Sequence, residues 1–349
     1  MRLVLFFDGT WNEPNDLTNV DLLYQRTAES PDQRSLYIPG VGTRDQGLFA
    51  LADKFLGGAF GQGLTQNIKT GYRWICERYM PGAQIFIFGF SRGAYSARSL
   101  AGLIRKCGVI RDVTDPNIDQ AYSIYRDASS STDERITEYR QSHSQECDIE
   151  FVGVWDTVGE LGIPVGGLQI PGFNDYYKFH DTSLSNSTKA AYHAVAANEF
   201  RSLYAPTLWT KGKDDRGHLP VEQRWFIGAH ANVGGGYTSP PRHPADLLPL
   251  IPARWLLDVA VTHGLKIDHS IDVPLEAYSA DPIDSYDEFV GHHLFLKQAV
   301  QREARSPNGG LNETTDMSLR SRLETDLNFL REFPELRVKL LSLPDGDSA

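Results

Sequence analysis

Ser91 stands in Gly89-Phe90-Ser91-Arg92-Gly93, directly after the apolar run Ile85-Phe86-Ile87-Phe88 and directly before a segment of good helix formers. A buried strand that turns sharply into a helix at G-x-S-x-G is the strained turn that presents a nucleophilic serine. The flanking glycines let neighbouring backbone approach where a side chain would not fit. The chemistry such a serine performs is acyl transfer, which also needs a base for its proton, an acid to orient that base, and N–H donors for the oxyanion. An ordinary Gly-rich strand-to-helix turn is the competing reading, and the apolar strand in front of Ser91 weighs against it.

Asp156, in Asp156-Thr157-Val158-Gly159, follows one apolar run, and His230, heading His230-Ala231-Asn232-Val233-Gly234-Gly235-Gly236-Tyr237, follows the next. Ser91, Asp156 and His230 satisfy the order serine, acid, histidine of hydrolases built on open α/β sheets. An Asx-turn or helix cap competes for Asp156, and a satisfied buried side chain competes for His230. His292 and His293 are alternative bases without a strand-end position. Asn232 is a candidate for positioning substrate or His230. In Asp8-Gly9-Thr10-Trp11-Asn12, the Gly9 and Thr10 amides are expected to face an oxyanion together with the Arg92 N–H, with Asp8 on the substrate side. The triple glycine is not a phosphate loop, because no Gly-Lys-Ser/Thr follows. A phosphoryl-transfer or metal-dependent site on Asp8 and Asp156 is a weaker third reading, since Thr10 stands where its second aspartate belongs.

Four apolar segments read as core strands: Arg2–Phe7, Gln84–Phe90, Ile149–Trp155 and 224–229. Helical patterns cover 62–79, 94–106, 187–198 and 252–263. Alternating strands and helices imply an α/β fold, a mostly parallel sheet with helices on both faces, whose strand carboxyl ends gather the polar turns at one edge. The chain reads as a single domain over 1–343. Lid-like insertions are expected near 112–147 and 173–186, a loop at 306–315, a docked C-terminal helix at 319–333 and a disordered tail at 344–349.

With 349 residues and 41% hydrophobic content the chain can bury a large core, and no repeat divides it. Its 34 Lys and Arg against 45 Asp and Glu give a net charge of −11, which argues against a nucleic-acid partner. Cys76, Cys107 and Cys147 lack metal spacing and read as buried small hydrophobes. No cofactor is called for. No apolar run reaches about 18 residues, and Asp8 interrupts the N-terminal run too early for a signal peptide. The expectation is a cytoplasmic protein, or one exported without a cleaved signal, with peripheral membrane contact left open.

Taken in order, Phe7-Asp8-Gly9-Thr10-Trp11-Asn12, Gly40-Val41-Gly42-Thr43, Gly89-Phe90-Ser91-Arg92-Gly93-Ala94, Val154-Trp155-Asp156-Thr157-Val158-Gly159, and the stretch from Trp225-Phe226 to Gly236-Tyr237 resemble the α/β-hydrolase domain family of the type VI secretion phospholipase effectors. The resemblance implies a serine-dependent esterase cleaving phospholipid acyl esters, with Ser91 as nucleophile. The chain departs from the family pattern twice: Asn232 stands where those members carry Asp, and Ile283 where they carry His before Asp284-Ser285. Either Asp156 and His230 complete a redistributed triad, or the domain has lost hydrolysis and uses its cleft as a binding or scaffold module.

Overall fold

The computed structural model describes residues 1–346 apart from 11, 13, 43–58, 128–132, 159–186, 211–219, 237–242 and 292–299. In chain order its strands are β1 (Arg2–Phe7), β2 (Gln33–Ile38), β3 (Gln84–Phe90), β4 (Val109–Ile110), β5 (Ser144–Gln145), β6 (Ile149–Trp155), β7 (Ala191–Ala196), β8 (Val221–Phe226) and β9 (Glu313–Thr315). Among the described residues seven of them form one sheet in the order β2-β1-β3-β6-β7-β8-β9, every pair parallel, while β4 and β5 make a small antiparallel pair outside it.

Parallel strands covered on both sides read as continuous apolar runs, because alternate side chains are buried on opposite faces. Val4, Phe6, Phe86, Phe88, Phe151 and Trp155 pack towards the helices Asn19–Arg26 and Leu250–Thr262. Leu3, Leu5, Phe7, Ile85, Ile87 and Val154 pack towards the helices Ala59–Arg78 and Arg92–Cys107. From β1 the chain moves outward to β2, then returns to β3 on the other side of β1. At such a reversal the loops leaving the two strands diverge and open a crevice at their carboxyl ends. The Asp8 loop and the Ser91 turn flank that crevice.

Several expectations need correcting. The stretch 187–198, read as helix, contains strand β7, Ala-Tyr-His-Ala-Val-Ala. Its alanines favour a helix in isolation, but it is buried between β6 and β8, where ladder pairing and packing outweigh intrinsic propensity. The strand expected at 224–229 ends at Phe226, where Gly228 (φ 125°) turns the chain into the short helix His230–Gly234. Edge strand β2 and the three-residue β9, inside the loop expected at 306–315, carry no apolar pattern that would reveal them.

The described part of the region 112–147 contains the helices Asp115–Arg126 and Glu134–His143, outside the main sheet. They meet the far half of the helix after Ser91, where the Cys107 Sγ–H donates to Ala121 O and Lys106 Nζ–H donates to Asp127 O. At about 1.5 Å per residue these anchors lie some 20 Å along the helix from Ser91. The other expected insertion, 173–186, lies outside the described residues, as do His292, His293, Trp11, Thr43 and Tyr237. In place of one helix at 319–333 there are two, Met317–Thr325 and Pro334–Ser342, the second opening with a proline at its first position. Residues 344–346 of the expected tail are pinned: Thr315 N–H donates to Pro344 O, Gly346 N–H to Thr315 O, and Arg320 Nε–H to Asp345 Oδ1.

Candidate active site

Ser91 sits between β3 and the helix Arg92–Cys107 with φ 56° and ψ −120°, a conformation that costs energy for any residue with a side chain. A Cβ on Gly93 would stand 2.1 Å from Phe7 O, and one on Gly89 would stand 2.6 Å from Gly93 O. Only glycines let strand, turn and helix close this tightly. The Ser91 N–H donates to Trp155 O (3.0 Å), which ties the turn to the end of β6.

Asp156 leaves β6, also with positive φ (38°), and His230 opens the helix after β8. The His230 Nδ1–H donates to Asp156 Oδ2 at 2.5 Å. With the proton on Nδ1, Nε2 accepts from the Ser91 hydroxyl at 2.8 Å. The three side chains thus form one hydrogen-bonded line across three strand ends. The rings of Phe90 and Tyr204 flank the imidazole, with centroids 4.7 and 5.0 Å away.

Burial pushes the Asp156 carboxyl up, but the Arg305 charge and hydrogen bonds from His230 and Arg305 together outweigh it and hold the group well below the usual carboxylate range. Burial lowers His230 below the ordinary histidine value, against the pull of Asp156 and Glu199. A neutral imidazole with Nε2 facing a serine can accept that proton.

Three expected residues have internal occupations. Asp8 is buried, its carboxylate accepting from Thr18 Oγ1–H (2.6 Å), Tyr37 O–H (2.5 Å) and Gly9 N–H (2.6 Å). Burial nevertheless raises its carboxyl to about 6. The Gly9 amide is therefore committed to Asp8. Thr10 Oγ1, next in the loop, is buried without a hydrogen bond among the described residues. Asn232 is fully buried: its Oδ1 accepts from Ala229 N–H (3.1 Å) and Ile283 N–H (3.3 Å), and its Nδ2–H donates to Ala245 O (3.0 Å). The two positions that depart from the family pattern thus touch each other, and both serve the turn that carries His230.

Residues that sequence reasoning missed surround this line. Arg305 donates to both Asp156 oxygens. Glu199 is buried and accepts from His230 N–H (3.2 Å), Ser285 O–H (2.9 Å) and the Arg201 guanidinium (2.7 and 2.8 Å); against burial, the Arg201 hydrogen bonds and charge, with the Arg305 charge, lower its carboxyl. His193, driven down to about 3 by burial and the Arg98 charge, stays neutral and accepts from Thr157 N–H (3.0 Å). A buried carboxylate such as Asp156 requires a cationic partner, but nothing in the sequence indicates which arginine supplies it.

The family model described as the catalytic domain of the Tle1-like phospholipase effectors of the type VI secretion system (T6SS) matches residues 1–259. The chain belongs to this family. A curated relative from Saccharomyces cerevisiae, the uncharacterised protein YEL023C, is 27% identical over 299 residues, which cover 78% of this Tle1-like chain and 41% of that protein. The chain therefore spans about two fifths of the curated relative it matches. An uncharacterised protein from Pseudomonas aeruginosa has a crystal structure that is 18% identical, with a TM-score of 0.45 over 79% of this chain and 47% of that one. The Tle1 effector bound to the VgrG spike is 21% identical, with a TM-score of 0.40 over 69% and 52%. Among the described residues of this Tle1-like chain, no helix is long and apolar enough to cross a membrane.

Proposed function

We propose that the domain is a serine-dependent carboxylic-ester hydrolase that cleaves an acyl ester of a phospholipid. The observation that carries this reading is the continuous line from Ser91 Oγ through the His230 ring to Asp156. Family membership supplies the substrate class. Ser91 Oγ attacks the ester carbonyl while its proton passes to His230 Nε2, and the carbonyl oxygen becomes an oxyanion. With the Gly9 amide committed to Asp8, the Arg92 N–H and Thr10, whose hydroxyl has no hydrogen bond among the described residues, are the donors we assign to that oxyanion. The imidazolium then protonates the leaving alcohol, and water, deprotonated by His230, releases the acid from Ser91.

A phosphoryl-transfer role for Asp8 and Asp156 finds no support, because partners already occupy the acceptor positions of both carboxylates. The binding-module reading leaves the serine–histidine hydrogen bond without a use. Reaction with a fluorophosphonate probe separates the two. Labelling confined to Ser91, abolished in Ser91→Ala together with hydrolysis of short-chain p-nitrophenyl esters and phospholipid vesicles, is the expected result, with a fall in kcat of about a million-fold. An unlabelled wild type, beside a labelled control esterase, would favour the binding module.

A further inference from the structure

Arg305 lies in the segment preceding β9, beyond the residues matched by the family model, yet it reaches the centre of the line just described. Its guanidinium is buried, with 3% of the side chain exposed, and grips Asp156 as a fork: Nη1–H donates to Oδ1 at 2.5 Å and Nη2–H to Oδ2 at 2.9 Å. The same two nitrogens donate to Ala196 O (2.8 Å) and Tyr204 O (2.6 Å), so the fork is itself fixed to the end of β7 and the turn beyond it. Asp156 Oδ2 is shared between this arginine and His230 Nδ1.

We propose that Arg305 is a positioning residue for the serine–histidine–aspartate line, fixing the plane of the Asp156 carboxylate and offsetting its charge where it meets His230. The inference rests on the hydrolase reading of Ser91. The planar fork defines the carboxylate orientation as a lone ammonium cannot. Orientation is the acid's main contribution, since it sets which imidazole nitrogen faces the serine.

The charges around His230 give the second consequence. Asp156 faces it from the end of β6, Glu199 and Arg201 from the segment after β7, and Arg305 from the segment before β9, with the neutral Ser91 hydroxyl on Nε2 and the Phe90 and Tyr204 rings on its flanks. Two arginines and two carboxylates balance around the imidazole. Burial then disfavours a proton on His230, against the pull of Asp156 and Glu199. Removing the Arg305 charge leaves a net negative site that a proton on His230 would neutralise, so the histidine would hold its proton to higher pH. A buried unit charge this close is worth about one to two pH units.

The test is the rate of fluorophosphonate labelling at Ser91 as a function of pH, for the full chain and for Arg305→Gln and Arg305→Lys, with thermal melting of each. Arg305→Gln is expected to move the acid limb of the profile up by about one pH unit or more. Arg305→Lys keeps the charge and loses the fork, so its limb stays in place while the plateau rate falls about tenfold or more. A folded Arg305→Gln protein with the wild-type limb overturns the proposal. If Arg305→Gln does not fold, Arg305→Lys decides: a lowered plateau at the wild-type melting temperature supports the role, and a wild-type plateau overturns it. An unlabelled wild type would sink the serine reading and this inference with it, whereas a labelled wild type with indifferent variants sinks only the role of Arg305.

Discussion

Burial favours the neutral form of His230, and under the proposed mechanism that fixes the pH dependence of the reaction. Only the neutral imidazole can accept the Ser91 proton, so activity is full above the histidine's midpoint and falls as pH drops through it. Because burial lowers that midpoint, the acid limb of kcat/KM should lie below the ordinary histidine value of 6.5. A limb centred at pH 7 or above on a short-chain ester would contradict the assignment. Asp156→Asn should lower kcat by about 10⁴-fold in a protein that still folds, because the neutral amide no longer fixes the tautomer. Asn232→Asp should gain no activity. The change would replace the Nδ2–H donor to Ala245 O with an acceptor in a fully buried position, and urea denaturation should report a loss of about 1–3 kcal/mol or more. Faster turnover in Asn232→Asp would return the triad acid to that position.

At the scale of elements, the turns after β1 and β3 hold each other in place. Gly93→Ala would drive a methyl group into Phe7 O and Asp8 O, at 2.1 and 2.4 Å, and force the helix after Ser91 away from β1. Overpacking of this kind costs about 1–3 kcal/mol. Labelling of Ser91 should be lost even in whatever fraction remains folded, and a normally labelled variant would show the turn to be more pliable than its geometry. The Asp8 loop has its own pH signature. Its folded carboxyl, at about 6, lies above the unfolded value of 3.8, so the stability it contributes is fully present below pH 4 and is lost as pH rises through 6. The loss is on the order of 3 kcal/mol. The melting-temperature difference between wild type and Asp8→Asn should therefore shift against the wild type by about 4 °C from pH 4 to pH 7. A difference that does not change with pH would mean that Asp8 titrates normally.

For the whole molecule, the site depends on chain well beyond the matched residues 1–259. Strand β9 extends the sheet beside β8, and Glu313 on it accepts from Trp225 Nε1–H at 2.7 Å. The two C-terminal helices bury Leu319, Leu323, Leu336 and Leu340 against the core, and the segment before β9 brings Arg305 to Asp156. A chain ending at residue 299 should therefore be insoluble or unlabelled although it keeps Ser91, Asp156 and His230. A soluble, labelled product of that length would show that the C-terminal segment only decorates the domain.

The parallel sheet and the candidate nucleophile are legible in the sequence, because both are written locally. Runs such as Ile85 to Phe88 are apolar on both faces of a strand, and the glycines around Ser91 mark a turn that few other residues tolerate. The same local logic put Asp156 and His230 at strand ends, but not in contact. Their hydrogen-bonded line depends on β3, β6 and β8 lying in that order, with β7 between β6 and β8. Strand β7 itself was hidden by its alanines, whose preference for helix is overridden only when neighbouring strands bury them. Arg305 was invisible for a related reason. A buried carboxylate requires a positive partner, but a residue 149 positions away in an irregular segment carries no periodicity or motif. Local patterns record what each segment can form alone; which charge meets which, and which amide is already committed, is decided when distant segments pack and desolvate one another.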